Sequence, residues 1–533
     1  MIEIDLQTLT SSRALPVAAL GVACLLGGCV NDAGLGDAPG ETDGAAGTDS
    51  SVDTLGDTES DSEGETDGVD TMDAETEGDT DGVPSGAAGC ERIAGADGEL
   101  YDWAIVCASV ASDDVQLLEV TPGGDVVVGI AVANIGDVEA PVWDVGGNTY
   151  EHQDLTDLLL LRFDAQGELL WHRYFGADHH VWFTGMAACG EDIVIAGDAS
   201  DGVDLGEGTV TADEFVARYD AEGELVWSRG FDAQQPDGHI TTQDLECDAA
   251  GNVVVTGRVR DGADFGLGMQ AAAIYDAFVV RLDATGATSF AHTLLADAEA
   301  GGSFQSRGMA VAAHDDGSTY LFVDHSGPVD VGTGPIDNPL GGENALLLRL
   351  SETGELLWQA PVSGEGLVYA RSVAVDAQGR AVVTGSFLSS VELGGETHEN
   401  VFPFDEQEQD IVGTNYDAYV AAFESDGTYA WGFPAGWMRD ENAVLADYAD
   451  GRALVYRHGS GQLTLDAYDD GGAETWIGVN LDEPSSGLHY NLIEANESAV
   501  VLAGSVGEAA SWPMAVAPYA RGQSEALIIH FPR

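Results

Sequence analysis

The chain contains no lysine. All 18 of its basic residues are arginine, against 93 Asp+Glu, and the formal net charge over 533 residues is −75. A field of that sign repels phosphate backbones and anionic lipid head groups, so nucleic-acid binding and electrostatic attraction to a membrane are excluded. Long apolar runs are scarce. The one near the N-terminus, Ala14 to Gly28, has the length of a signal-peptide core and is too short for a convincing membrane span. Sustained helical periodicity is absent from the rest. Gly-x-Ser-x-Gly, His-Glu-x-x-His and phosphate-loop signatures are missing as well. The sequence therefore predicts no catalytic, cofactor-binding or metal-binding residues, and a protein that is not an enzyme.

Residues 30–89 hold 18 Asp+Glu in 60 positions, with no basic and no aromatic residue. Such a segment cannot bury enough apolar surface to offset its ordering entropy, and its like charges extend it, so a disordered tether is expected. The acidity is not confined there, because the chain from Cys90 onward still has 73 acids against 17 arginines.

What is present after the tether is a repeat. A turn followed by an aromatic strand recurs as Gly167 to Trp171, Gly223 to Trp227, Gly286 to Phe290, Gly354 to Trp358, Gly427 to Trp431 and Gly472 to Trp476. Apolar strands precede these turns, as in Asp157 to Asp164, Asp213 to Asp220 and Asp276 to Asp283. The joining segments, such as Asp164-Ala165-Gln166-Gly167, suit type I turns with glycine left-handed. Upstream lie β-branched strands ending in glycine, among them Val126 to Gly129, Val253 to Gly257 and Ala381 to Gly385. A small motif sits between: Asp144-Val145-Gly146, Asp204-Leu205-Gly206, Asp264-Phe265-Gly266, Asp330-Val331-Gly332 and Glu392-Leu393-Gly394. A period near 60 residues with four strands per unit predicts an all-β fold, a seven-bladed β-propeller. The last unit lacks a fourth strand, and Gly98 to Val106 reads as a fourth strand without its first three. The N-terminal strand is thus expected to close the ring. Blade 6, about 437–484, is short and lacks the Asp-apolar-Gly motif.

Candidate chemistry is sparse. The repeated tryptophans read as packing between sheets, and Arg162, Arg218, Arg281 and Arg349 as structural pairs with acids. The Asp-apolar-Gly motifs suit turns as well as they suit calcium. His180, His239 and His489 stand just before first strands, with Asp178 and His179 close to the first of them. Cys90, Cys107, Cys189 and Cys247 allow three pairings. Cys189 and Cys247 end equivalent strands and Cys90 and Cys107 flank the closing strand, which favours those two disulfides.

Leu26-Gly27-Gly28-Cys29 resembles the lipobox of bacterial lipoproteins. The resemblance implies cleavage before Cys29 and diacylglycerol and palmitate-type acylation of that residue, the lipid attachment site. The domains expected are a signal peptide (1–28), the lipidated cysteine with its acidic tether (29–89) and the propeller (90–533). Val30 stands where an Asp retains some lipoproteins at the inner membrane, which implies the outer membrane or cell surface. The strands Gly251 to Gly257 and Asp276 to Asp283 with a terminal Trp resemble SBBP-type β-propeller repeats of exported bacterial proteins. Together with tether and lipobox, the whole resembles propeller lipoproteins of predatory gliding bacteria. Such proteins imply a surface-exposed, non-catalytic binding scaffold, held to the membrane through its lipid alone, with a protein or glycan partner. The alternative rests on Ser351 to Trp358, which resembles quinoprotein dehydrogenase repeats and implies an oxidoreductase using the propeller channel. That family's eight blades and adjacent cysteine pair are not matched here.

Overall fold

The Asp-x-x-Gly segments fold as local hairpins. Gly167 has φ of 80°, its N–H donates to the carbonyl of Asp164 at 2.8 Å, and Asp164 Oδ1 accepts the amides of Gln166 and Glu168. A register shift follows between Arg162 and Phe163, the bulge that such a turn requires. Asp220, Asp283 and Asp469 repeat the pattern, and Ser351 makes it with its hydroxyl.

The computed structural model describes residues 89–94, 102–108, 112–133, 142–145, 148–151, 156–176, 182–235, 238–272, 275–296, 305–338, 340, 342–400, 416–438, 443–449, 452–459, 462–482, 488–495, 499–507 and 524–532. The expected signal peptide, Cys29 and all of the expected tether except Gly89 lie outside these residues.

Seven antiparallel sheets follow one another as the blades of a propeller. Blade 1 is Ser112–Val120, Val126–Ala133, Thr156–Phe163 and Leu169–Phe175; blade 2 is Trp182–Cys189, Asp192–Asp204, Thr209–Tyr219 and Leu225–Phe231. Blade 3 is His239–Cys247, Val253–Arg260, Asp276–Leu282 and Thr288–Ala296; blade 4 is Ser306–Ala313, Thr319–His325, Asn344–Leu350 and Leu356–Val362. Blade 5 is Val368–Val375, Ala381–Phe387, Tyr416–Phe423 and Tyr429–Met438; blade 6 is Ala443–Ala449, Arg452–Gly459, Gln462–Tyr468 and Glu474–Asp482. Each first strand touches the first strands of both neighbouring blades, and the series returns from blade 7 to blade 1. The third strand of blade 6, Gln462–Tyr468, had no counterpart in the sequence reading.

Blade 7 is assembled from both ends of the chain. Leu488–Ala495, Ala499–Gly507 and Ser524–Pro532 are completed by Trp103–Ala108, with Trp103 opposite His530. The expected closure is therefore present, with the strand starting at Trp103 and ending two residues beyond Val106. A further strand, Gly89–Ala94, pairs outside it and makes this sheet five-stranded. Cys90 and Cys107 sit directly opposite each other on these two strands and form a disulfide, with Cα atoms 4.0 Å apart.

The core is a circuit of interfaces between blades rather than one central cluster. One buried cluster joins Trp103, Ile105, Val501 and Ile528 of blade 7 to Val115, Val128 and Leu159 of blade 1. At the rim, an outer-strand aromatic of one blade lies on the turn glycine of the next. A Cβ on Gly167 would stand 2.8 Å from the Trp103 ring. The same distance separates Gly223 from Trp171, Gly286 from Trp227 and Gly427 from Trp358. Each of these indole N–H groups donates to a carbonyl of the same turn: Trp103 to Ala165 at 3.0 Å, Trp171 to Ala221 at 2.8 Å, Trp227 to Ala284 at 3.1 Å and Trp358 to Ser425 at 3.0 Å. Phe290 and His292 fill the place against Gly354.

Trp103 is 1% exposed and stacks on His530 with ring centroids 4.8 Å apart. Trp103→Ala is expected to cost about 3–5 kcal/mol, a large part of the roughly 5–15 kcal/mol that holds a typical domain folded. Thermal melts of wild type and variant at matched pH check this. A change in melting temperature no larger than that of an exposed substitution such as Leu170→Ala would reject the closing role.

Candidate functional site

The meander separates two faces. All first-to-second and third-to-fourth strand turns lie on one; the second-to-third connections and the links between blades lie on the other. The first face is closed by short hydrogen-bonded turns. The second carries the longer connections, including hairpins at Val142–Val145 with Asn148–Glu151, Ala263–Asp264 with Met269–Gln270, Val329–Asp330 with Pro335–Ile336, and Ser390–Leu393 with Glu396–Glu399. Residues 401–415, most of the connection between the second and third strands of blade 5, lie outside the described residues.

On the turn face the repeated arginines are structural, as expected, and they bridge blades. Arg162 donates to Asp125 of its own blade at 2.9 Å and to the carbonyl of Glu191 in blade 2 at 2.6 Å. Arg218 spans Asp192 and the Gly251 carbonyl, and Arg281 spans Asp248 and the Gly317 carbonyl. Arg349 spans Asp316 and the Ser425 carbonyl. Blade 5 has Ala422 at this position, and Arg380 of its second strand takes over, pairing with Asp376 and with Asp470 of blade 6. Cys189 and Cys247, at the ends of neighbouring first strands, form the second disulfide with Cα atoms 5.3 Å apart.

The Asp-apolar-Gly motifs are turns. Oδ1 of Asp204 accepts the amides of Gly206 and Gly208, Asp264 those of Gly266 and Gly268, and Asp330 those of Gly332 and Gly334. Glu392 lies on a hairpin whose two turn residues, Gly394 and Gly395, both have positive φ, as a two-residue turn needs. Among the described residues no group of three or more His, Cys, Asp or Glu is placed to hold a metal ion. His239 and His489 lie within first strands of blades 3 and 7 rather than before them. Asp178, His179 and His180 lie outside the described residues.

The distinctive surface is on the loop face, across blades 3, 4 and 5. At the end of the second strand of blade 3, the Arg258 and Arg260 guanidinium carbons lie 5.1 and 5.9 Å from the centre of the Tyr275 ring. The Tyr275 carbonyl accepts the Ser306 amide at 3.1 Å, which places Arg307 of blade 4 alongside. Arg307 pairs with Glu343 at 2.9 Å and Asp324 at 3.4 Å. Arg371 of blade 5 lies 5.9 Å over Tyr369, whose ring is 5.7 Å from that of Tyr416. The Nε atoms of Arg258 and Arg371 are buried without a hydrogen-bond partner. Burial raises the Tyr369 hydroxyl well above the ordinary phenol, aided by Glu343 and Tyr416. Sequence reasoning missed this group, since its members are scattered from 258 to 416 and share no motif.

No family model matches the chain, and no curated protein matches it. Its likenesses are to solved structures. The chain is similar to the Dos1 propeller, at 11% identity over 79% of this chain and 94% of that one, with a TM-score of 0.38. It is similar to the Neurospora crassa Pan2 WD40 domain, at 7% identity over 79% and 89%, with a TM-score of 0.38. It is also similar to the PQQ-bound aldose sugar dehydrogenase of Streptomyces coelicolor, at 13% identity over 67% and 98%, with a TM-score of 0.30. Likeness at this level concerns architecture and carries no activity across.

Beneath both faces, carboxyls are buried between blades. First strands carry a bulge, as between Thr242 and Asp244 and between Ala370 and Ser372, and amides there are taken by acids of the preceding blade. Glu214 accepts the Thr242 amide at 3.2 Å and the Thr184 hydroxyl at 3.0 Å; Asp324 accepts the Ala370 amide at 2.6 Å. Asp244 accepts the Val311 amide of blade 4 at 2.8 Å. Burial pushes Glu214 up to about 8, and Asp244 and Asp324 each up to about 7, against the opposing pull of these hydrogen bonds.

The folded state therefore holds protons that the unfolded chain releases near its ordinary carboxyl range. Stability from these groups is fullest below that range and is lost as pH rises through about 7 and 8. The melting temperature should fall between pH 5 and pH 9, and Glu214→Gln should flatten the fall, with the variant more stable than wild type at pH 9. Parallel pH series of melts would show it; identical slopes would reject the assignment for Glu214.

Proposed function

We propose that this protein is an exported lipoprotein, attached through Cys29 at the outer membrane or cell surface, whose propeller is a non-catalytic binding scaffold. The observation that carries the scaffold reading is the asymmetry of the ring. One face is locked by turns, indole–glycine contacts and arginine bridges, and the other presents long connections and a cluster of arginines and tyrosines. A rigid frame bearing longer loops on one side is the usual arrangement for recognition. The two disulfides support residence in an oxidising compartment, and Leu26 to Cys29 supports the anchor. The partner is a protein or a glycan, and the anchor lipid is the sole contact with the membrane.

Cys29→Ser is expected to abolish lipid labelling and to move the protein from the detergent phase to the aqueous phase. Unchanged labelling and partitioning would reject the anchor. Incubation with pyrroloquinoline quinone and calcium is expected to give no dye-linked sugar or alcohol oxidation; turnover above background would overturn the non-catalytic reading.

A further inference from the structure

In a chain with 93 acids and 18 arginines, an arginine without an acid partner is the exception. The turn-face arginines Arg162, Arg218, Arg281, Arg349 and Arg380 all meet a carboxylate. Among the described residues, no direct ion pair joins Arg258 or Arg371 to an acid, and both have Nε buried and without a hydrogen-bond partner; the charge of Arg371 reaches Asp324 only at longer range. Each guanidinium is instead laid over a tyrosine ring, an arrangement that fixes its plane. Arg258 and Arg260 share one ring, so two like charges are held close together with Asp261 beside Arg260 at 3.4 Å. Asp261 is also the one non-glycine residue with positive φ, 61°, among the described residues.

Resting on the reading of the loop face as the recognition surface, we propose that Arg258, Arg260 and Arg371, with Tyr275 and Tyr369, bind a saccharide carrying carboxylate groups. A planar guanidinium matches a carboxylate through paired hydrogen bonds. The cations run along an arc over three successive blades, with Arg307 between them held by Glu343 and Asp324. This suits a linear ligand with one carboxylate per unit. Tyr275, Tyr369 and Tyr416 are half-buried beside these charges, and an aromatic ring can pack on the C–H face of a pyranose. An acidic peptide side chain offers no such face. The surrounding negative field disfavours polyanions of higher charge density.

Titration of the full-length protein with trigalacturonate at low salt tests the proposal. Saturable binding is expected, weakened at least about tenfold in Arg258→Gln and in Arg371→Gln at unchanged melting temperature, and absent for the methyl-esterified trimer. Arg173→Gln, on the turn face, should bind as wild type. If Arg371→Gln melts lower, Arg258→Gln decides alone. No saturable binding, equal binding of the methyl ester, indifference to both substitutions, or equally tight binding of triglutamate would overturn it. Those outcomes leave the anchor and the quinone test of the broader reading standing or falling on their own results.

Discussion

The ring depends on an indole resting on a glycine of the neighbouring blade. A sheet of four strands exposes two apolar faces and an outer edge, and it is stable here because adjacent blades cover both faces. The indole adds direction to that non-specific burial. Its N–H must reach a turn carbonyl while its ring lies where a Cβ would be, so the turn must carry glycine at positive φ. Turn sequence and aromatic spacing are thereby linked at the four junctions of Trp103, Trp171, Trp227 and Trp358. At closure the same contact joins the two ends of the chain, with Trp103 of the N-terminal strand on Gly167 of blade 1. The added strand Gly89–Ala94 extends this logic. Arg173 and Arg229, two residues beyond their tryptophans, donate to the carbonyls of Gly223 and Gly286. Ile105 stands at that position after Trp103, and Arg92, opposite it on the added strand, donates to Gln166 instead.

Most of this architecture was legible because its determinants are local. Period-two apolar strands, Asp-first and Gly-last turns and one aromatic per unit are visible within a few residues of each other, and the orphan strand at Trp103 declared the closure. Gly89–Ala94 was not legible, since Glu91 and Arg92 break its apolar pattern and glycine and acids flank it. Gln462–Tyr468 was missed because it lacks the leading acid of the other third strands. Arg380 was missed for a different reason: it replaces an arginine absent from Ala422, and only the pairing of strands brings the two positions together. The candidate site was illegible for the same cause on a larger scale. Arg258 and Arg371 are remote in sequence, and topology alone sets them on one face.

The buried acids show how the inner ring tolerates irregular strands. A bulge turns amides away from their own sheet, and an unpaired buried amide is costly. The preceding blade supplies a carboxyl, as Glu214 does for Thr242 and Asp324 for Ala370. Glycine opposite the bulge is the second half of the device. A Cβ on Gly257 would stand 2.0 Å from the Thr241 carbonyl, and one on Gly385 would stand 2.0 Å from the Tyr369 carbonyl. The glycines that end these two β-branched strands are therefore a packing requirement of the bulged neighbour.

The bridging geometry suits arginine and not lysine. Each bridging arginine meets a carboxylate of one blade and a backbone carbonyl of the next, two acceptors in fixed and different directions. A guanidinium offers five donors in a rigid plane and can hold both at once; an ammonium is a compact, strongly hydrated charge that shifts toward neutrality when buried. Arg162 and Arg281 are 2% exposed, where an unpaired charge would be strongly destabilising. A chain this acidic has carboxylates enough to pair every arginine several times over. Arg258 and Arg371 are stacked on tyrosines instead, on the face the bridges leave open.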